Sequence, residues 1–242
     1  MKKSDLAGAR TRDHLLKREM LYQLSYQIVS QCGCKYNILF ESIKKISYKF
    51  EKNILTVFFI ENSLFMRIVL CGYMGSGKSL IGKKLARKLH VDFVDLDQKI
   101  EEWTKKSIPD IFKEKGEIAF RRLEAEVLEA CLLDNSDDVL SLGGGTPCYG
   151  VNLDRIKAQP ETQMFYLKVS LEELTRRLFK ERNARPLIRD IESVEKLEDY
   201  IRKHLFERQH FYYQSDVVVD TSALSVEEIV DQIIVEMKKA AE

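Results

Sequence analysis

From residue 67 onward, short apolar runs alternate with longer segments in which apolar positions recur at helical spacing. The apolar runs predict buried strands, and the helical periodicity between them predicts amphipathic helices. The predicted strands are Arg67–Cys71, Val91–Val94, Val139–Leu142, Met164–Val169 and Asp216–Val219. The predicted helices are Ser79–His90, Ile108–Leu133 with a break at Gly116, Leu171–Phe179, Glu192–Tyr213 and a last one from Ser225 to Lys239. This alternation predicts an α/β fold with an open, five-stranded parallel sheet flanked by helices.

Residues 1–65 differ from the rest of the chain, because they carry an excess of basic side chains and no motif with chemistry. Arg12–Gln31 could form an amphipathic helix, and Ile54–Ile60 a strand or a short helix. Met66 stands directly before the first strand of the predicted domain. We therefore expect a domain at 66–242, preceded by an extension of unknown role that is either dispensable or a mis-assigned start.

Composition narrows the functional classes. The net charge of +1 over 242 residues argues against a general nucleic-acid binder. Glu61, Asn62, Ser63 and Arg67 interrupt the most apolar stretch, so no membrane span is expected. Five scattered cysteines fit neither a disulfide framework nor a zinc site. A reduced, cytoplasmic protein is the expectation, and a monomer is expected.

The strongest motif is the run GYMGSGKS at Gly72–Ser79, which fits G-x-x-x-x-G-K-[ST] between a predicted strand and a predicted helix. Such a loop turns successive N–H groups toward phosphate oxygens at the positive end of a helix. Lys78 would add a charge at the β- and γ-phosphates, and the Ser79 hydroxyl could bind Mg²⁺. The nucleotide-binding residues expected here are Gly75, Ser76, Gly77, Lys78, Ser79 and Leu80.

Two carboxylates, Asp95 and Asp97, follow the second predicted strand, at the sheet edge where open α/β folds bind ligands. The pair suggests separate roles, one carboxylate orienting Mg²⁺ through water and the other accepting a hydroxyl proton from the substrate. The alternative is a pair of helix N-cap residues leading into Gln98–Trp103.

Several other side chains are candidates for binding a negatively charged acceptor or a transferring phosphate. Arg121 and Glu124 are three apart on a helix, so a paired arginine could fork onto a carboxylate, although a solvated helix face fits as well. The glycines at 143–145 would let a ligand approach the backbone closely, or they form a plain loop.

Two further arginines, Arg182 and Arg185, lie in the polar segment Arg182–Asp190. This segment is predicted to be a mobile loop that either acts as a lid or is simply solvated. Arg208 has the same ambiguity.

The ordered set of motifs resembles the shikimate kinases, which have the P-loop fold of nucleoside monophosphate kinases, and the resemblance covers residues 66–242. The motifs are GYMGSGKS at 72–79, DLD at 95–97, SIPDIF at 107–112, GE at 116–117, FRRLE at 120–124, SLGGG at 141–145, RPL at 185–187 and Arg208 ahead of Phe211 and Tyr212. The resemblance implies ATP-dependent phosphorylation of the shikimate 3-hydroxyl, with ATP as co-substrate and Mg²⁺ as cofactor.

The resemblance also implies roles for single residues. Ser79 and Asp95 would hold Mg²⁺, and Lys78, Asp97 and Arg185 would be catalytic, with Asp97 as base. Arg182 is a candidate for the arginine that stacks on adenine in the family. Shikimate would be bound by Asp97, Arg121, Gly143, Gly144, Gly145 and Arg208, with Phe112 and Phe120 beside its ring.

Two alternatives stay open. The first is another small-molecule P-loop kinase, of gluconate or nucleotide type, which activity measurements with ATP and a panel of acceptors would identify. A non-catalytic module on a kinase fold would typically lack the loop lysine, the base or the lid arginine, all of which have candidates here.

Overall fold

The computed structural model describes residues 67–134, 138–185 and 187–240. The predicted extension at 1–65 lies outside these residues. The strands are β1 (Arg67–Cys71), β2 (Asp92–Asp95), β3 (Asp138–Ser141), β4 (Thr162–Lys168) and β5 (Val217–Asp220). The helices are α1 (Lys78–Leu89), α2 (Leu96–Thr104), α3 (Ile108–Leu133), α4 (Asn152–Lys157), α5 (Leu171–Glu181), α6 (Val194–Tyr212) and α7 (Val226–Ala240).

The strands form one parallel sheet in the order β2-β3-β1-β4-β5, as the sequence predicts. Alternation along β1 sends Ile68 and Leu70 to one face and Val69 and Cys71 to the other. The first face packs against α1 and α7, and the second against α2, α3, α5 and α6. Two apolar layers thus cover the sheet, and the carboxyl ends of β2, β3 and β1 lie side by side.

Three helices begin at a serine cap. Ser107, Ser170 and Ser225 each accept a hydrogen bond from the backbone N–H three residues on. Gly116 breaks α3 as expected, with φ 76°. No helix in the described part of the chain is long and apolar enough to cross a membrane.

Strand boundaries differ from the prediction by one or two residues, because apolar character alone does not mark where pairing begins. Asp138 opens β3 while buried, since its carboxylate pairs with Arg67 at 2.7 Å. The apolar pattern does not predict α2 and α4; it offers a helix at Gln98–Trp103 only as the alternative interpretation of Asp95 and Asp97. The predicted loop Arg182–Asp190 contains a 3₁₀ helix, Arg182–Ala184, and the fully buried side chain of Ile188.

Candidate active site

The loop between β1 and α1 is built for close backbone approach. Gly72, Gly75 and Gly77 all have positive φ values, which glycine adopts without strain. A Cβ at Gly72 would lie 2.8 Å from the carbonyl oxygen of Leu167, so a side chain cannot fit there. Gly77 is the N-cap residue of α1, and the loop therefore leads into a free helix N-terminus. This arrangement suits a polyphosphate.

Lys78 is buried beside this loop, and its ammonium group donates to the carbonyls of Gly72 and Tyr73 at 2.9 and 3.1 Å. Burial lowers its pKa, while the nearby Asp97 carboxylate acts in the opposite direction. Both carbonyl bonds are local to the loop. A phosphate bound in the loop could therefore take over the ammonium group after a small side-chain movement.

Asp95 links β2 to α2 and to the loop. Its carboxylate accepts from the Ser79 hydroxyl at 2.7 Å and from the backbone N–H of Asp97 at 3.1 Å. Asp95 ends the strand and caps α2, whereas Asp97 lies in the first turn of that helix. A strand-to-helix turn therefore separates the two aspartates, and it gives their side chains different surroundings.

Ser79 and Asp95 offer two hard oxygen ligands at the loop, which suits Mg²⁺. The described residues contain no cluster of three or more His, Cys, Asp or Glu side chains that could hold a metal. A cation there would complete its shell with phosphate oxygens and water, as Mg²⁺ commonly does.

Asp97 lines the cleft among other charged groups. Burial raises its pKa to about 6, the neighbouring Asp95 carboxylate adds to this, and Lys78 opposes it. The carboxylate nevertheless opens on to the cleft and is reachable by a ligand. A carboxyl group with a pKa near neutrality is suited to accept a proton.

The turn after β3 lies against Asp97. A Cβ at Gly143 would lie 2.9 Å from Asp97 Oδ1 and 3.1 Å from Glu124 Oε1, so a side chain there would crowd both carboxylates. Glu124 is fully buried, accepts from the Thr146 hydroxyl at 2.7 Å and pairs with Arg121 at 2.9 Å. The predicted pair of Arg121 and Glu124 is thus present, and it fixes the direction of the arginine.

Arg121 projects toward the glycine turn and an aromatic wall. A Cβ at Gly145 would lie 3.0 Å from Arg121 Nη1. The guanidinium lies 3.9 Å from the centroid of the Tyr149 ring and 5.1 Å from that of Phe120, whose ring contacts Phe112 at 4.5 Å between centroids. The cation is therefore pre-oriented beside backbone N–H groups and apolar rings.

Arg208, on α6, reaches the same region. Burial raises the pKa of the Cys148 thiol to about 11, and the positive charges of Arg208 and then Arg121 oppose that rise. Both guanidinium groups therefore act electrostatically on Cys148, which follows the glycine turn. The two arginines come from different helices, α3 and α6.

The phosphate loop, Asp95, Asp97 and Gly144 open on a cleft of about 570 Å³, whereas Arg121 lines a separate pocket together with Tyr149. Arg185 lies at the rim of the cleft, held by the Glu181 carboxylate at 2.7 Å. The predicted site residues that line the cleft are Gly75, Ser76, Gly77, Lys78, Ser79, Leu80, Asp95, Asp97, Gly144 and Arg185.

A family model described as "SKI: Shikimate kinase" matches residues 74–238, more than half of the chain. The chain is also 40% identical over 167 residues to the shikimate kinase of Azobacteroides pseudotrichonymphae, covering 69% of this chain and 96% of the relative.

The chain belongs to the shikimate kinase family.

Other shikimate kinases agree in sequence and in fold. The enzyme of Flavobacterium psychrophilum is 39% identical over 69% of this chain and 96% of its own. A crystal structure of the Bacteroides thetaiotaomicron shikimate kinase matches with a TM-score of 0.66 and 33% identity, covering 72% of this chain and 98% of that one. A structure of the Acinetobacter baumannii shikimate kinase in complex with shikimate matches with a TM-score of 0.67 and 28% identity, over 76% and 98%. The P-loop kinase fold expected from the motifs is confirmed.

Sequence reasoning missed two arginines on α5 that line the cleft of this shikimate kinase family member, Arg176 and Arg177. Both pair with Glu173, and Arg177 also donates to the Gly75 carbonyl at 3.2 Å. Arg182, the sequence candidate for contact with adenine, instead packs on the Phe179 ring at 4.2 Å and donates to the Phe179 carbonyl. It does not line the cleft, whereas the apolar side chains of Leu224, Val226 and Ile229 do.

Proposed function

We propose that this protein transfers the γ-phosphoryl group of ATP to the 3-hydroxyl of shikimate, giving shikimate 3-phosphate and ADP. The observation that carries the proposal is the juxtaposition at one sheet edge of the phosphate loop, the Asp97 carboxylate and the turn that Arg121 faces. This places the activity among the ATP-dependent transferases of chorismate and aromatic amino-acid biosynthesis.

On the nucleotide side, the loop Gly75–Ser79 and the N-terminus of α1 would hold the β- and γ-phosphates. Lys78 would leave its carbonyl partners to neutralise the transferring group. Ser79 and Asp95 would hold Mg²⁺, which supplies charge neutralisation across the β- and γ-phosphates. The cleft also has an apolar wall that would contact the adenine base, and it is formed by Leu224, Val226 and Ile229.

On the acceptor side, shikimate offers one carboxylate, three hydroxyls and a ring. Arg121 and Arg208 would bind the carboxylate, together with N–H groups of the 143–145 turn. Phe112 and Phe120 would contact the ring. Asp97 would accept a hydrogen bond from the hydroxyl that reacts. The shikimate ring would then lie between the two phenylalanines and the phosphate loop.

The chemical step then follows from the charges. Asp97 takes the hydroxyl proton as the oxygen forms its bond to the γ-phosphorus, and the bond from that phosphorus to the β,γ-bridging oxygen breaks to release ADP. Negative charge spreads over the equatorial oxygens in this transfer. Lys78 and Arg185 would offset this charge, Arg185 after exchanging Glu181 for phosphate.

We also propose a cytoplasmic monomer that does not bind nucleic acid. The free thiols of Cys71, Cys131 and Cys148 support a reducing compartment, and Cys71 is buried with its pKa raised by burial.

The test is ADP release by the full chain with ATP, Mg²⁺ and one acceptor at a time: shikimate, gluconate or a nucleoside monophosphate. We expect turnover that depends on shikimate and exceeds that with the other acceptors by at least about 100-fold, since unpaired buried charges penalise a wrong acceptor. Preference for another acceptor would replace the proposal with that of a different small-molecule kinase.

A further inference from the structure

Tyr212, the last residue of α6, is buried directly behind the glycine turn and has no part in the roles given above. Its side chain is fully buried, and its ring lies 5.1 Å from that of Tyr166 on β4, centroid to centroid. The hydroxyl donates a hydrogen bond to the carbonyl of Gly144. Burial raises the pKa of Tyr212 well above its ordinary value, so the hydroxyl keeps its proton and remains a donor.

This bond fixes the orientation of one peptide unit in the turn. The peptide between Gly144 and Gly145 is planar and trans, as no cis peptide occurs in the described residues. Its carbonyl and its N–H therefore point in opposite directions. Holding the Gly144 oxygen on Tyr212 turns the Gly145 N–H away from the protein interior that Tyr212 occupies.

The N–H groups of the turn are available for a ligand. The carbonyls of Gly143 and Gly145 accept from the N–H groups of Thr146 and Cys148. Within the part of the chain that the structure describes, by contrast, the N–H groups of Gly144 and Gly145 have no acceptor. Gly145 also lies against the Arg121 guanidinium. At Gly145, a backbone donor without an acceptor thus lies next to a cation.

Tyr212 and Arg208 are four residues apart on α6 and so lie on one face of the helix. The bond from Tyr212 to Gly144 therefore fixes α6 to the turn beside the residue that carries the second guanidinium. One hydroxyl sets both the direction of the Gly145 N–H and the distance from Arg208 to the turn.

We propose that Tyr212 is a positioning residue for the acceptor carboxylate. Its hydroxyl orients the Gly145 N–H and holds α6, and with it Arg208, next to the turn. The inference rests on the proposed function, because it takes the turn and both arginines as the carboxylate site. Tyr212 touches neither substrate and acts only through these groups.

The test is Tyr212→Phe in the full chain, which removes the hydroxyl and keeps the ring. Tyr213→Phe is the matched control, because Tyr213 is half exposed and meets the same Tyr166 ring edge-on at 5.5 Å. The acceptors are shikimate and its methyl ester, which keeps the hydroxyls and lacks the anionic carboxylate. KM for ATP and for each acceptor, and kcat, are measured for wild type and both variants.

For Tyr212→Phe we expect KM for shikimate to rise about five- to tenfold, the size that one lost buried hydrogen bond supports. KM for ATP should stay at the wild-type value, and kcat/KM for the ester should change little, so discrimination between acid and ester falls. Tyr213→Phe should behave as wild type. An unchanged KM for shikimate overturns the inference. So does an equal fall for acid and ester, because damaged packing would lower both. Failure of the proposed function would show earlier, as wild type that does not use shikimate at all.

Discussion

At the scale of single residues, Asp97 shows how an environment prepares a carboxylate for proton transfer. Burial and the Asp95 charge raise its pKa to about 6, while Lys78 limits the rise. A base with this pKa is mostly ionised at neutral pH and still binds a proton well enough to take one from an alcohol.

The pH dependence follows with a definite sign. Asp97 acts when ionised, so kcat/KM for shikimate should be constant above about pH 7 and fall about tenfold for each unit below about pH 6. Asp97→Asn should lower kcat by about 10²- to 10⁴-fold and abolish this acidic limb. The measurement is a pH profile of both proteins. A wild-type profile that stays flat down to pH 5, or an Asp97→Asn protein with normal kcat, would place the base elsewhere.

Arg121 should separate acceptor binding from nucleotide binding. Arg121→Ala removes a charge-assisted contact to the carboxylate and should raise KM for shikimate by about 10- to 100-fold, with KM for ATP unchanged. The neighbouring Arg122, which is exposed, provides the control, and Arg122→Ala should have wild-type constants. Steady-state kinetics with each substrate varied in turn measures both. A raised KM for ATP in Arg121→Ala would contradict the acceptor assignment.

Site residues can be predicted from the sequence where a local motif specifies their chemistry. They are missed where their role depends on a contact with a residue far away in the chain. Lys78 and Ser79 follow from a glycine pattern with a known backbone geometry. Arg177 was missed because its local signal, arginine paired with Glu173 one turn earlier, is that of a solvated helix face. Its contact with Gly75 joins residues 102 apart in the chain.

At the scale of secondary-structure elements, that contact ties α5 to the phosphate loop. Arg177 donates to the Gly75 carbonyl, and a Cβ at Gly75 would lie 3.0 Å from the Leu178 side chain. The helix that leads to the lid therefore packs directly on the loop that would bind phosphate.

The helices and strands themselves could be predicted from apolar periodicity. The ends of strands could not, because a residue such as Asp138 depends on a partner in another strand.

Arg177→Ala should loosen this link and raise KM for ATP by about five- to tenfold, the scale of one hydrogen bond with a charged donor. KM for shikimate should change less than twofold. Lys180→Ala, an exposed position three residues on in the same helix, is the control and should leave both constants unchanged. Equal effects of the two substitutions on KM for ATP would mean that the contact with the loop has no role.

At the scale of the whole molecule, the sheet and its two apolar layers lie within residues 67–240. The family match spans residues 74–238. Every residue given a role in catalysis or binding also lies in this part. The sequence predicts a boundary near Met66 because charge and motif content both change there, and this boundary stays a prediction.

A protein of residues 66–242 should therefore keep kcat and both KM values within about twofold of the full chain, because no active-site charge is removed. Its thermal unfolding should remain a single cooperative transition. Kinetics and calorimetry of the two proteins make the comparison. Loss of folding or activity on truncation would show that residues 1–65 belong to the catalytic domain.

The central claim is that one cleft brings the γ-phosphate of ATP to a hydroxyl of shikimate. The most direct measurement follows the products by ³¹P NMR as the full chain, Mg²⁺, ATP and shikimate react. One new phosphomonoester should form at the same rate as ADP. It should be lost in Lys78→Ala, which lacks the charge at the transferring group, and kept in the exposed control Arg87→Ala. ADP that accumulates with inorganic phosphate alone, or a phosphomonoester that Lys78→Ala forms at the wild-type rate, would contradict the account.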